Sequence, residues 1–453
     1  MYYKRIIDKY LAEWAQDSTH KPVLLRGARQ VGKSCAVKHL GDSFEQFVEL
    51  NFEKEPQYIP LFQGDLDVKR ICGMISAMKH QLIEPGKTLL FLDEIQLCPE
   101  AIMSLRFFKE DYPELHVIAA GSLLEFAIRE LPTFGVGRIH SMFMYPMTFN
   151  EFLLANGYEG LAEARDSATA EQPLFTPLHG KLVNMFRSYL LVGGMPEAVA
   201  KWVETQDYML CQQVQDQLLI TYDDDFSKYA EKTDPTLMRL TLRSVAIQMG
   251  KKFVYSHVSQ DYKTEKIRKA VEMLTLAGLI VPVTHTSANG LPLGSGAERS
   301  YRKMLFLDSG LLLRLLDMTF GNAAQMATQV LISTAEDLVN KGPLAEMVAG
   351  LEMIRYKSPN MRHELFYWVR QEKNSTAEVD YLQIKDMAVL PIEVKASTQG
   401  GMKSLWAFMR EKHLHEAVRC SLENFGEFNY SDPLDNGEMR HVRIVPLYAV
   451  GKV

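Results

Sequence analysis

The chain has 453 residues, 47% of them hydrophobic and 23% charged, with a formal net charge of -6. That length exceeds one ordinary core and predicts two or three domains; the composition excludes a disordered or fibrous chain, and the charge excludes a uniformly basic nucleic-acid coat protein. Five scattered cysteines (Cys35, Cys72, Cys98, Cys211 and Cys420), without a C-x-x-C pair, exclude a disulfide framework and a zinc site and make a reducing, cytoplasmic location the expectation.

The start, MYYKRIIDKYLAEW, is amphipathic and charged rather than a signal peptide. No apolar run reaches the roughly 18 residues that span a bilayer, so no membrane partner is expected. Next come four short apolar runs, PVLLRG, FEQFVELNF, KTLLFLDEI and LHVIAAGS. Continuous apolar runs suit strands buried on both faces of a parallel sheet. Helical patterns separate them at Ser34 to Leu40, Asp67 to Ile83 and Glu100 to Tyr112. This βαβ rhythm predicts an α/β first domain.

The first turn carries chemistry. Gly27-Ala28-Arg29-Gln30-Val31-Gly32-Lys33-Ser34 fits G-x-x-x-x-G-K-[ST], and Cys35 follows on the first helical turn. Glycines let backbone N–H groups face phosphates, and the helix adds its positive end. Lys33 would reach the β- and γ-phosphates of ATP, and the Ser34 hydroxyl would ligate Mg²⁺. Arg29 and Gln30 are expected to shape the loop. Asp93, at the end of the third run, suits the Mg²⁺ shell, and Glu94 beside it suits deprotonation of the attacking water. Ser122 ends the fourth run, as a γ-phosphate sensor, a helix N-cap or both. Arg138 is either a finger cation for the γ-phosphate or a solvated arginine.

The region from about 146 to 245 reads as mainly helical. In FVYSHVSQDYKTEKIRKAVEMLTLAGLIVPV a helical stripe at Ile267, Val271, Leu274 and Leu276 turns at Gly278 into a strand, and a second strand, RKMLFLDSG, follows a loop. This is the order of a winged helix-turn-helix. Lys263, Lys266, Arg268 and Lys269 fall on its exposed face, which suits either DNA phosphates or a protein- or nucleotide-sensing role.

AEVDYLQIK and AVLPIEVKA then read as a hairpin turning near Lys385 and Asp386. Glu393 and Lys395 are alternate residues of one strand and share a face; Asp380 lies on the other strand. This is the D…ExK arrangement of metal-dependent nucleases. Its carboxylates would bind Mg²⁺ or Mn²⁺, and its lysine would position a water. A helix at GPLAEMVAGLEM offers Glu346 as a third acid ligand.

LLRGARQVGKS, LFLDEIQLCPE, VIAAGSLLEF, GRIHSMFMYPMTFNEFL and YLLVGGMPEAV occur in that order. Together they resemble the prokaryotic AAA-type P-loop ATPases that carry a C-terminal domain of unknown function with a restriction-endonuclease-like (PD-(D/E)xK) fold. The resemblance implies an ATPase core over residues 1–155, a helical lid region over 156–245, a winged-helix domain over 246–325 and an α/β endonuclease-like domain over 326–453. Two functions follow as expectations. One is an ATP-hydrolysing protein coupled to a nuclease-like, DNA-acting C-terminal domain. The other is a signalling or scaffold ATPase whose silent C-terminal domain binds a protein or nucleic acid. A homo-oligomer is compatible with both.

Overall fold

The apolar runs of the first third assemble side by side. The computed structural model describes residues 2–122, 124–130, 137–228, 233–316, 341–370, 377–397 and 400–453. Residue contacts divide the chain into two units, one of Met1–Pro146, Leu276–Gly278 and Ser358–Arg362, the other of Met147–Thr275, Leu279–Lys357 and His363–Val453.

In the first unit, strands β1 (Val23–Arg26), β2 (Gln46–Asn51), β3 (Thr88–Asp93), β4 (His116–Ala120) and β5 (His140–Phe143) form one parallel sheet in the order β2-β3-β4-β1-β5. Every residue of β3 and β4 is buried, as the continuous runs require. Helices α1 (Ile6–Gln16), α2 (Lys33–Gly41), α3 (Val68–Lys79), α4 (Pro99–Asp111) and α5 (Leu124–Glu130) lie between or before the strands. The three predicted helices match α2, α3 and α4 to within a few residues. Asp67 caps α3 by accepting from the N–H groups of Lys69 and Arg70. The chain passes from β1 across to β2 on one side, and from β4 over β1 to β5 on the other. In open α/β sheets such a reversal marks the strand carboxyl ends as the place where ligands bind.

The second unit begins with helices α6 (Phe149–Ala155), α7 (Glu159–Ser167), α8 (Thr176–Val192), α9 (Pro196–Thr205), α10 (Tyr208–Ser227), α11 (Pro235–Ile247) and α12 (Thr264–Leu276). It continues with β6 (Ile280–Thr286), β7 (Ala297–Phe306), α13 (Ser309–Leu315), α14 (Lys341–Arg355), β8 (Leu365–Val369), β9 (Glu378–Lys385), β10 (Ala388–Val394), α15 (Lys403–Lys412), β11 (Glu416–Ser421), β12 (Gly426–Asp432) and β13 (Glu438–Pro446). The predicted hairpin is β9–β10; Lys385 pairs with Ala388, and Asp386 and Met387 both take positive φ, of 48° and 60°.

The middle region departs from its expected form. Ile267, Val271, Leu274 and Leu276 of α12 are buried and the four basic residues are exposed, as read from the periodicity. The FVYSHVSQ stretch holds a short 3₁₀ turn at Tyr255–His257, between α11 and α12. The β6–β7 hairpin, however, does not stand apart. β6 pairs in parallel with β8, so the hairpin extends an eight-stranded sheet of order β12-β13-β11-β10-β9-β8-β6-β7. Backbone pairing between strands distant in sequence leaves no mark on local periodicity. The expected 155/156 boundary falls at the end of α6, the 245/246 boundary falls inside α11, and the 325/326 boundary lies outside the described residues.

Buried charge ties the helices of this unit to α14. Arg355 donates to the Tyr189 hydroxyl at 2.9 Å and to the Leu307 carbonyl at 2.7 Å. Glu352 accepts from the Phe149 N–H at 3.1 Å and lies 2.9 Å from the Tyr189 hydroxyl. Arg355→Leu strands the buried Glu352 carboxylate, so we expect a loss of about 3–5 kcal/mol of stability, read by chemical denaturation of the purified variant.

Candidate functional site

Two sites emerge, one in each unit. In the first, three backbone conformations build the phosphate loop. Gly27, Gln30 and Gly32 have φ of 148°, 65° and 97°. A Cβ on Gly27 would collide with the Met144 carbonyl oxygen, so glycine is required there on steric grounds. Ala28 and Val31 turn inward and are buried, Arg29 is half-buried, and Gln30 and Cys35 are exposed. Gly32 is the N-cap of α2, whose first residue is Lys33.

Lys33 is buried, and its Nζ donates to the carbonyls of Gly27 at 3.0 Å and Ala28 at 2.8 Å. Burial lowers its pKa to about 8, partly offset by Glu94 and Asp93. Ser34 Oγ donates to Asp93, with its two carboxylate oxygens at 3.1 and 3.2 Å. Burial raises the Asp93 pKa. A hydroxyl beside a carboxylate is an oxygen-only donor pair that fits Mg²⁺. Asp93 ends β3, and Glu94 and Ser122 follow the carboxyl ends of β3 and β4, the sheet edge from which the loop leaves β1.

Arg138 does not reach this edge. It precedes β5, whose first residue, His140, pairs with Val23, the first residue of β1. Parallel register therefore puts Arg138 at the amino end of the sheet, where it is exposed and donates to Glu110 at 3.1 Å. The finger reading is corrected on that ground: a short stretch shows a charge but not the sheet edge it occupies.

Three supporting residues had no reading from the sequence. Asn51, at the end of β2, donates to Asp93 at 3.1 Å. Gln96 donates to the Glu94 carboxylate at 2.6 Å and packs so close to Gly121 that a Cβ there would strike its Oε1. Glu94 has a φ of 51°, a strained value for a non-glycine residue and one that sets where its side chain leaves the strand end. Arg5, buried ahead of α1, donates to the loop carbonyl of Val31 at 2.8 Å and to Tyr145 at 2.6 Å. The position of Gln96 in DEIQ was a usable signal; Arg5 gave none.

In the second unit, Asp380 on β9 and Glu393 on β10 lie just past the Tyr381–Ile392 pair, and Asp380 accepts from the Val394 N–H at 2.8 Å. Lys395 Nζ lies 2.5 Å from Glu393 Oε1, as the shared face predicted. Glu393 Oε2 is buried with no partner among the described residues. Burial, with the Asp380 charge adding to it, raises the Glu393 pKa to about 7. Glu346 on α14 comes together with Asp380, but in a group where Glu378 takes the place expected for Glu393; one ligand oxygen of each lies within 4.8 Å of the others. Glu378, two residues before Asp380 on the same strand face, was legible but unread. Lys303 on β7 was not legible. It is 1% exposed, lies 2.7 Å from Glu346 and bonds Glu378 as well. Burial opposes its charge, but the two acids outweigh burial and raise its pKa.

Residues 19–153 match the family model described as AAA domain. Residues 183–321 match a domain of unknown function (DUF8612), and residues 341–448 match another (DUF4143). No curated protein matches the chain. Among solved structures, the chain is similar to the Walker-type ATPase PABY2304 of Pyrococcus abyssi, at 14% identity over 69% of this chain and 96% of that one, with a TM-score of 0.45. The Aeropyrum pernix ORC1 protein in complex with DNA matches at 11% identity over 69% and 90%, with a TM-score of 0.29. Thermotoga maritima RuvB matches at 16% over 61% and 88%, with a TM-score of 0.28. All three likenesses are remote. The first unit contains an AAA-type P-loop domain, and among the described residues no helix is long and apolar enough to cross a membrane.

Two outcomes test the loop geometry. Gly27→Ala should abolish ATP binding in a fluorescent-nucleotide titration, because the collision at Met144 displaces the loop. Phosphates should favour the Lys33 ammonium, so its lowered pKa should rise on binding. Binding near pH 8 should then take up protons, and calorimetry in buffers of different ionisation enthalpy should show it; Lys33→Met should lose both binding and uptake.

Proposed function

We propose that the chain binds and hydrolyses ATP in its first unit and uses the nucleotide state to govern a metal-dependent, DNA-acting carboxylate site in its second. The observation that carries the reading is the Ser34–Asp93 pair at 3.1 Å, set beside a glycine loop and a buried lysine. Loop N–H groups and Lys33 hold the β- and γ-phosphates. Glu94, held by Gln96, accepts the proton of a water whose oxygen attacks the γ-phosphorus, and the bond from that phosphorus to the β–γ bridging oxygen breaks. Ser122, at the same strand edge, is suited to contact the γ-phosphate. Ser34 and Asp93 would hold Mg²⁺, which would neutralise charge on the phosphates, and Asp380 and Glu393 would hold Mg²⁺ or Mn²⁺, which would supply Lewis-acid activation.

At the second site Asp380, Glu393 and Lys395 fill the D…ExK positions, and the unpartnered Glu393 Oε2 supports a cation ligand there. Lys395 orients a water for attack on a phosphodiester. The exposed Lys263, Lys266, Arg268 and Lys269 are suited to DNA phosphates.

Purified protein should hydrolyse ATP. Glu94→Gln should lower kcat by about 10²–10⁴-fold with nucleotide binding retained. Plasmid cleavage with Mn²⁺, with and without ATP, should be lost in Asp380→Ala and reduced in Lys33→Ala. Intact ATP hydrolysis with no cleavage in any condition would instead support a signalling or scaffold ATPase with a silent C-terminal domain.

A further inference from the structure

The acid cluster around Asp380 already contains a cation, and it comes from an unexpected strand. Lys303 Nζ on β7 lies 2.7 Å from Glu346 Oε1 and also bonds Glu378 Oε1. These acids, with Asp380, form the set whose ligand oxygens lie within 4.8 Å of one another. Mg²⁺ sits about 2.1 Å from its oxygens, while an ammonium sits about 2.7–2.9 Å away, so a metal ion bridging Glu346 and Glu378 would overlap the Lys303 nitrogen. Lysine and metal exclude each other from that position.

Two buried groups beside the cluster have no partner among the described residues. One is Glu393 Oε2, on a residue 5% exposed. The other is the Tyr367 hydroxyl, on a residue 1% exposed, with Lys303 Nζ 5.1 Å from its ring centre. On the far side, Lys395 is occupied with Glu393 Oε1.

We infer that Lys303 is a resident cation: its ammonium fills a second cation seat formed by Glu346, Glu378 and Asp380, and removing it opens that seat to a divalent ion. This rests on the reading that Asp380 and Glu393 hold one divalent ion of their own. Lys303 thereby restricts the natural site to a single metal.

Nucleotide-free full-length protein is titrated with Mn²⁺, and bound ions are counted by electron paramagnetic resonance. Lys303→Met should bind one more Mn²⁺ per chain than the unaltered protein, and Lys303→Arg, which keeps the charge, should bind no more. An unchanged count in folded Lys303→Met, or an added ion in Lys303→Arg, overturns the inference. If Lys303→Met does not fold alone, circular dichroism should show that millimolar Mn²⁺ restores its fold; failure of that rescue also overturns it. Glu393→Gln reports separately on the underlying reading: it should lose one Mn²⁺ from the unaltered count, and if it does not, the Asp380–Glu393 site fails whatever Lys303→Met shows.

Discussion

A charge taken out of water must be met by a partner, and this requirement organises both units. An isolated ion in a low-dielectric interior is too costly to keep, and three buried cations show how it is met. Lys33 rests on the Gly27 and Ala28 carbonyls. Lys303 sits between Glu346 and Glu378, and Arg355 lies among Tyr189, Glu352 and the Leu307 carbonyl. The first arrangement is a weak match, since carbonyls only partly replace hydration. That is why the Lys33 pKa falls. The other two are full ionic matches and hold distant segments together.

The second organising fact is the common direction of the first sheet. Parallel strands send all their carboxyl ends to one edge, so residues far apart in sequence converge there. Asn51, Asp93 and the glycine loop come from three different strands, yet Asn51 and Ser34 both bond one carboxylate. The same rule separates Arg138 from them. It belongs to the opposite edge, whatever its proximity in sequence to the fourth and fifth strands.

In the second unit the eight-stranded sheet has the corresponding role. β9 and β10 bring Asp380 and Glu393 together through a tight two-residue turn, a local event. Pairing of β6 with β8 is a long-range event, and it carries Lys303 into the acid cluster. Carboxylates that would repel one another in a bare site are held close by that ammonium. The wing-like hairpin is thus part of the site, not an appendage to it.

Local pattern by itself determined the first four strands of the first sheet, helices α2 to α4, the glycine loop, the acid pair at the end of β3 and the β9–β10 hairpin with its alternating Glu393 and Lys395. Each depends on residues within a few positions of one another, where periodicity and steric need for glycine act directly. Tertiary structure alone decided the rest. It bound Arg5 to the Val31 carbonyl and Gln96 to Glu94, moved Arg138 to the far edge, joined the β6–β7 hairpin to the C-terminal sheet and placed Lys303 among the acids. Those outcomes depend on which strand ends and helix faces meet across hundreds of residues. That choice is made by the packing of the whole core and leaves no trace in any short stretch of chain.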